Sequence, residues 1–141
     1  MRDNQRSRIY AAERVLFASG LSDPLVTVPE MQAYAERVIS SAWWRKQWPH
    51  TRSVTITDGR SRRRGNCCPT MTGWRIAMPR WTRHTGYLLH ELAHTTSSDR
   101  HGPRFARNYL LLVKRYMGVE AFDVLIESFR LNGVDWEGSV L

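Results

Sequence analysis

"LLHELAHTTSSDRHGPRF", residues 88–105, holds three of the five histidines of this 141-residue chain. Within it, His90-Glu91-Leu92-Ala93-His94 is an H-E-x-x-H pattern. On a helix, positions four apart lie one turn above each other, so both imidazoles point the same way and can share one metal ion. Glu91 falls beside the first ligand, where a carboxylate can hold a water against the metal and take its proton. Leu88, Leu89, Leu92 and Ala93 supply an apolar back that would bury such a helix and orient the ligands. With five His and seven Glu in the chain, chance would produce the pattern about 0.01 times. His101 follows His94 after the polar turn "TTSSDR" and stands just before Gly102-Pro103, a helix start. That turn lets the chain double back and present a third imidazole. Three protein ligands with an open position for water are what a hydrolytic zinc site requires. Tyr87, one turn before His90, is expected on the same side, as an oxyanion stabiliser or a hydrogen-bond donor near the ligands.

The rest of the chain sets the frame. A length of 141 residues, 42% hydrophobic and 24% charged, is that of one soluble domain with a sizeable core. The longest apolar run, Tyr109 to Val113, is too short to cross a bilayer, and no membrane partner is expected. The opening "MRDNQRSRIYAAERVLF" spreads charge throughout and does not read as a signal peptide. The two cysteines, Cys67 and Cys68, are neighbours and would close no useful loop as a disulfide, so the cytoplasm is the expected compartment. The net charge is +8 and uneven: residues 1–118 carry twenty Arg/Lys against eight Asp/Glu, residues 119–141 one against five. Such a basic surface attracts phosphate backbones or acidic surfaces. Yet nineteen of the twenty-one basic residues are Arg, a bias that genome composition alone can produce.

Element by element, residues 5–18 read as a helix broken by "SGLSDP". Thr27 and Glu30 form a T-x-x-E capping box, with Val26 and Met31 as its hydrophobic staple, opening a helix to about residue 46. Trp48-Pro49 ends it. "SVTIT" (53–57) alternates as a strand; "CCPTMTGWRIAMP" (67–79) reads as a second strand, a break at Gly73 and a third strand closed by Pro79. Helices follow at about 85–95, from Pro103 to Gly118, and at about 119–131, and residues 133–141 are expected to be a loose tail. The order predicts an α+β domain spanning 1–141, with N-terminal helices, a small three-stranded sheet, the histidine helix and C-terminal helices.

Smaller signals are open to two readings each. Arg60, Arg62, Arg63 and Arg64, in a predicted hairpin loop, form a phosphate grip or a solvated loop. Trp43, Trp44 and Trp48 beside Arg45 and Lys46 stack on bases or, the favoured reading, belong to the core. Cys67 and Cys68 read as small buried hydrophobes, with thiolate coordination as the alternative. His84 reads as a cap of the motif helix or a surface residue, with facing a substrate oxyanion as the alternative, and His50 as solvent-facing.

"HELAH", a short polar turn and "HGPRF" resemble the SprT-like zinc metallopeptidases over about residues 74–117. Nearly the whole chain, including "RDNQRSRIYAAE" and "WRIAMPRWTR", also resembles a small family of metallohydrolases from actinobacteria and their phages, which would place it in a host cytoplasm. The resemblance implies a minimal zincin core with His90, His94 and His101 as zinc ligands and Glu91 as general base. It further implies that the strand around Trp74–Met78 borders the cleft, where a peptide substrate would lie extended against an edge strand. SprT-type proteins often carry a C-terminal four-cysteine ribbon, which the two cysteines of this sequence do not supply, so the DNA-linked protease roles of that family are not carried over as an expectation. A metzincin would need Gly where Ser97 stands and its third His one residue earlier. A gluzincin would draw a Glu from a later helix, where Glu120 and Glu127 are available. The expected function is therefore zinc-dependent peptide hydrolysis. The alternatives are hydrolysis of another bond, and a non-catalytic nucleic-acid-binding phage protein with a structural zinc closed by four ligands.

Overall fold

The computed structural model describes residues 3–60 and 62–140. Its fold is α+β. In chain order it runs α1 (Arg6–Ala18), α2 (Val28–Ser40), α3 (Ala42–Gln47), β1 (Val54–Thr57), β2 (Asn66–Pro69) and β3 (Trp74–Ala77). A 3-10 turn at Arg80–Thr82 leads into α4 (Thr85–Ala93), then α5 (Pro103–Met117) and α6 (Val119–Leu131). These elements group into two compact units, residues 24–96 and residues 3–23 with 97–140.

In the first unit the strands lie in the order β1-β3-β2, with β1 parallel and β2 antiparallel to β3. The Trp74–Met78 strand, expected to border a cleft, is therefore the central one, hydrogen-bonded on both sides. Gly73 explains the placement. Its carbonyl accepts the Thr70 N–H at 2.8 Å, folding β2 back onto β3. A Cβ at Gly73 would sit 2.5 Å from the Ser53 carbonyl, the group that accepts the Trp74 N–H at 3.0 Å and draws β3 onto β1. The outer edge of β1 is closed by a side chain of α2. The Gln32 amide donates to the Val54 carbonyl and accepts from the Ile56 N–H, both at 2.8 Å, in place of a further strand. β2 is thus the remaining edge.

Local signals held in part. Thr27 caps α2 by accepting the Glu30 N–H at 3.2 Å, but the staple does not form, because Val26 is 63% exposed while Met31 is fully buried. The helix expected to reach residue 46 breaks at Ser41, whose extended ψ of 148° lets its hydroxyl cap Trp44 and start α3. Trp44 and Trp48 are core, with ring centroids 4.7 Å apart.

The second unit is helical. Ile9, Ala12 and Leu16 of α1, Phe105, Tyr109, Leu112 and Val113 of α5, and Phe122, Leu125 and Phe129 of α6 are its buried apolar faces. The buried Glu13 carboxylate accepts the Tyr109 hydroxyl at 3.0 Å, satisfying a charge that would otherwise be costly inside. The expected loose tail is packed. Val134 and Val140 are buried, the Glu137 N–H donates to the Pro103 carbonyl at 3.1 Å, and the Asp135 N–H to Gln5 at 2.7 Å. Leu141 lies outside the described residues. Among the described residues, no helix is long and apolar enough to cross a membrane.

Candidate metal centre

α4 is buried along its whole length, as its leucine-rich back predicts. His84 caps it, with Nδ1 accepting the Tyr87 N–H at 3.4 Å. His90 is 1% and Glu91 3% exposed, and His94, the residue after the last helical turn, is half-buried. The one-turn spacing brings the His90 and His94 rings to 5.1 Å between centroids. The Glu91 carboxylate stands 4.0 Å from His90 Nε2.

Tyr87 is 2% exposed and lies against His90, ring centroids 5.7 Å apart and 28° from parallel. Its hydroxyl accepts the Gly65 N–H at 3.0 Å. Gly65, at the entrance to β2, was not singled out in the sequence. A Cβ there would lie 2.5 Å from Tyr87 Cε1 and 3.1 Å from Glu91 Oε1, so the missing side chain is what lets the strand lie against the histidine helix. The signal available was an isolated glycine between an arginine run and a strand, which marks close backbone approach. Cys67 and Cys68 are half-buried rather than core. Burial, then the charges of Glu91 and Cys68, push the Cys67 thiol far up and keep it protonated. Cys68, on the other face of the strand, takes a 3.6 Å contact from Arg75 Nη2.

His101 is held in the second unit. Asp99 builds its turn by accepting the Arg104 N–H at 2.8 Å and the Phe105 N–H at 3.1 Å, capping α5. A Cβ at Gly102 would sit 2.5 Å from that carboxylate. Buried at 6% exposure, His101 has its Nδ1 2.8 Å from Asp3 Oδ2, while Gln5 donates to its carbonyl at 3.0 Å. A carboxylate on one ring nitrogen fixes the tautomer and leaves the other as a metal donor. Asp3 and Gln5 were missed in the sequence, where nothing links positions almost a hundred residues apart. Asp99 carried a signal, an Asp just before a Gly-Pro helix start.

His90 and His94 thus present two imidazoles from the unit of residues 24–96, and His101 is an imidazole carried by the other unit. Neutral imidazoles suit zinc and the later transition metals rather than magnesium or calcium, so the donor set fits zinc. Glu120 and Glu127 are exposed on α6 and stand outside this group. Of the arginine cluster, Arg60 and Arg62 line a recess with Arg80, Trp81 and Arg83. Arg63 and Arg64 are exposed and do not line it, although the Arg63 carbonyl accepts the Trp81 indole N–H at 2.6 Å. His50 is exposed, its Nε2 3.2 Å from the Thr95 carbonyl. No protein-family model, curated protein or solved structure matches this chain.

Proposed function

We propose that this chain is a zinc-dependent, metallopeptidase-like hydrolase with His90, His94 and His101 as ligands and Glu91 as general base. The observation that carries the reading is the buried H-E-x-x-H helix with its two imidazoles one turn apart, 5.1 Å between ring centroids, and a His101 ring oriented by the Asp3 carboxylate supports the third ligand. A zinc held by these three histidines would supply Lewis acidity for activating water and a carbonyl. Three protein donors would leave a zinc held there open to water, whereas a structural zinc is closed by four protein ligands. Glu91 accepts the proton of the attacking water and returns it to the leaving amine. Its burial between α4 and the entrance to β2 keeps that carboxylate in one place. A peptide rather than a small substrate is favoured because β2 is the one sheet edge not covered by Gln32, and it runs beside α4. An extended chain pairing there would pass Glu91.

Two measurements on purified protein test the proposal. Elemental analysis should give about one zinc per chain. Glu91→Gln should keep that zinc and lower casein hydrolysis by roughly 10²–10⁴-fold, the range for loss of a general base. Protein that neither holds nor takes up zinc, or a Glu91→Gln variant as active as the native chain, overturns it.

A further inference from the structure

We infer that the recess beside the arginine loop binds single-stranded nucleic acid. The recess is about 650 Å³ and belongs wholly to the unit of residues 24–96. That unit carries eleven Arg/Lys against four Asp/Glu, while the rest of the chain carries ten against nine. Seven of the eight net positive charges are therefore in the unit with the recess. Arg60, Arg62, Arg80 and Arg83 line it, with Asp58 as its only acid. A smaller neighbouring recess of about 190 Å³ shares Arg60 and Arg62 and adds Arg75.

These guanidinium charges are not cancelled inside the protein. Arg62 and Arg80 have no carboxylate partner among the described residues. Arg60 has only Asp58 at 3.9 Å, with both side chains exposed, a pairing worth little in water. Arg83 is fixed by donating to the carbonyls of Met78, Val26 and Asp58, each at 3.2 Å. Those carbonyls orient it without neutralising its charge. The recess therefore offers an anion at least three unpaired or weakly paired guanidinium groups and one rigidly placed.

Trp81 decides which anion. It is the one exposed tryptophan of the six, at 56%, and it lines the recess. Its indole N–H is taken by the Arg63 carbonyl, and Tyr87 meets it edge-on at 5.3 Å. The indole is thus held in place with its donor spent, and what it presents to a ligand is apolar ring. A simple polyphosphate has no use for such a surface. A single strand does, because its unstacked bases lie flat on aromatic rings while arginines follow its phosphates. A duplex keeps its base faces stacked inside and gains nothing from the indole.

The test is fluorescence anisotropy of the full chain with labelled oligothymidylate longer than the roughly 4–16 nucleotides such sites cover. Binding should weaken with salt at a log–log slope of roughly −2 to −3, that of three or four single-strand phosphates neutralised. Arg62→Ser with Arg80→Ser removes two side chains that hold nothing else and should flatten the slope by about 1.4. Trp81→Ala should weaken oligothymidylate binding roughly tenfold or more and leave inorganic polyphosphate binding unchanged. Trp81→Phe, which stacks but cannot reach the Arg63 carbonyl, should bind within a few-fold of the native chain. An unchanged slope in the double arginine variant overturns the site. Equal or tighter binding of duplex, or a Trp81→Phe loss as large as that of Trp81→Ala, overturns the single-strand assignment. None of these readouts depends on zinc or hydrolysis, so the result stands apart from the proposed activity.

Discussion

Gly65→Ala should damage the proposed chemistry without touching a metal ligand. The added Cβ would lie 2.5 Å from Tyr87 Cε1, whereas ordinary contact begins at 3.4 Å, so something must yield by nearly 1 Å. Tyr87 is the less able to move: it is 2% exposed, stacked on His90 and met edge-on by Trp81. The strand entrance must therefore retreat, pulling its N–H off the Tyr87 hydroxyl and removing the wall 3.1 Å from Glu91 Oε1. Gly65 is not among the residues with positive φ, so alanine adds no backbone strain and the clash is the whole effect. Overpacking of this kind costs about 1–3 kcal/mol of stability. A general base displaced by about 1 Å loses about 10²-fold in rate. Casein hydrolysis, zinc content and thermal melting of the variant give the three readings: activity down about 10²-fold, zinc unchanged, Tm lowered. Adding Tyr87→Leu removes the clashing ring and should recover part of the Tm. Native activity and native Tm in Gly65→Ala would refute the argument.

Two further predictions concern the third ligand. His101→Ala should lose zinc and hydrolysis together, since two imidazoles hold the ion poorly; retention of a full equivalent by elemental analysis would place the third donor elsewhere. Asp3→Asn should weaken zinc binding about 10–100-fold in a chelator competition while the zinc-free protein melts normally. An unchanged affinity would mean that the carboxylate 2.8 Å from His101 Nδ1 does not orient the ring.

What was legible in the sequence was whatever local periodicity and capping control. The H-E-x-x-H helix, Pro103 at the start of α5 and Gly118, with φ of 97°, at its end are all written in neighbouring residues. The failures have one physical cause, that side chains far apart in the chain satisfy backbone groups. Gln32 closes the edge of β1 from a helix, and Gln5 holds the carbonyl of His101 and pins the tail through Asp135. Ser41 is the exception, a local hydroxyl that outcompeted helix propagation and split one helix into two. At the candidate site the histidines and Glu91 could be picked out from spacing as candidates, but Gly65 could not. Its importance comes from how near β2 runs to α4, and strand order is not encoded in any local pattern.

Tyr87 is where the two readings of the site part. As an oxyanion stabiliser its hydroxyl must donate to developing charge, and losing such a donor costs about 10²–10³-fold in rate. As a positioning residue it accepts the Gly65 N–H at 3.0 Å and keeps its ring against His90. The geometry favours the second role, because the hydroxyl accepts from the strand backbone and the residue is 2% exposed. Tyr87→Phe separates them, since phenylalanine preserves the ring stack and the edge contact with Trp81 but leaves the Gly65 N–H without its acceptor. An orphaned, part-buried N–H costs about 1–3 kcal/mol, so Tm should fall. Zinc should stay, and casein hydrolysis should fall less than about tenfold, short of the loss expected from removing an oxyanion donor. A drop of 10²–10³-fold at unchanged Tm would reverse the assignment, making Tyr87 a participant in the reaction and Gly65 merely its neighbour.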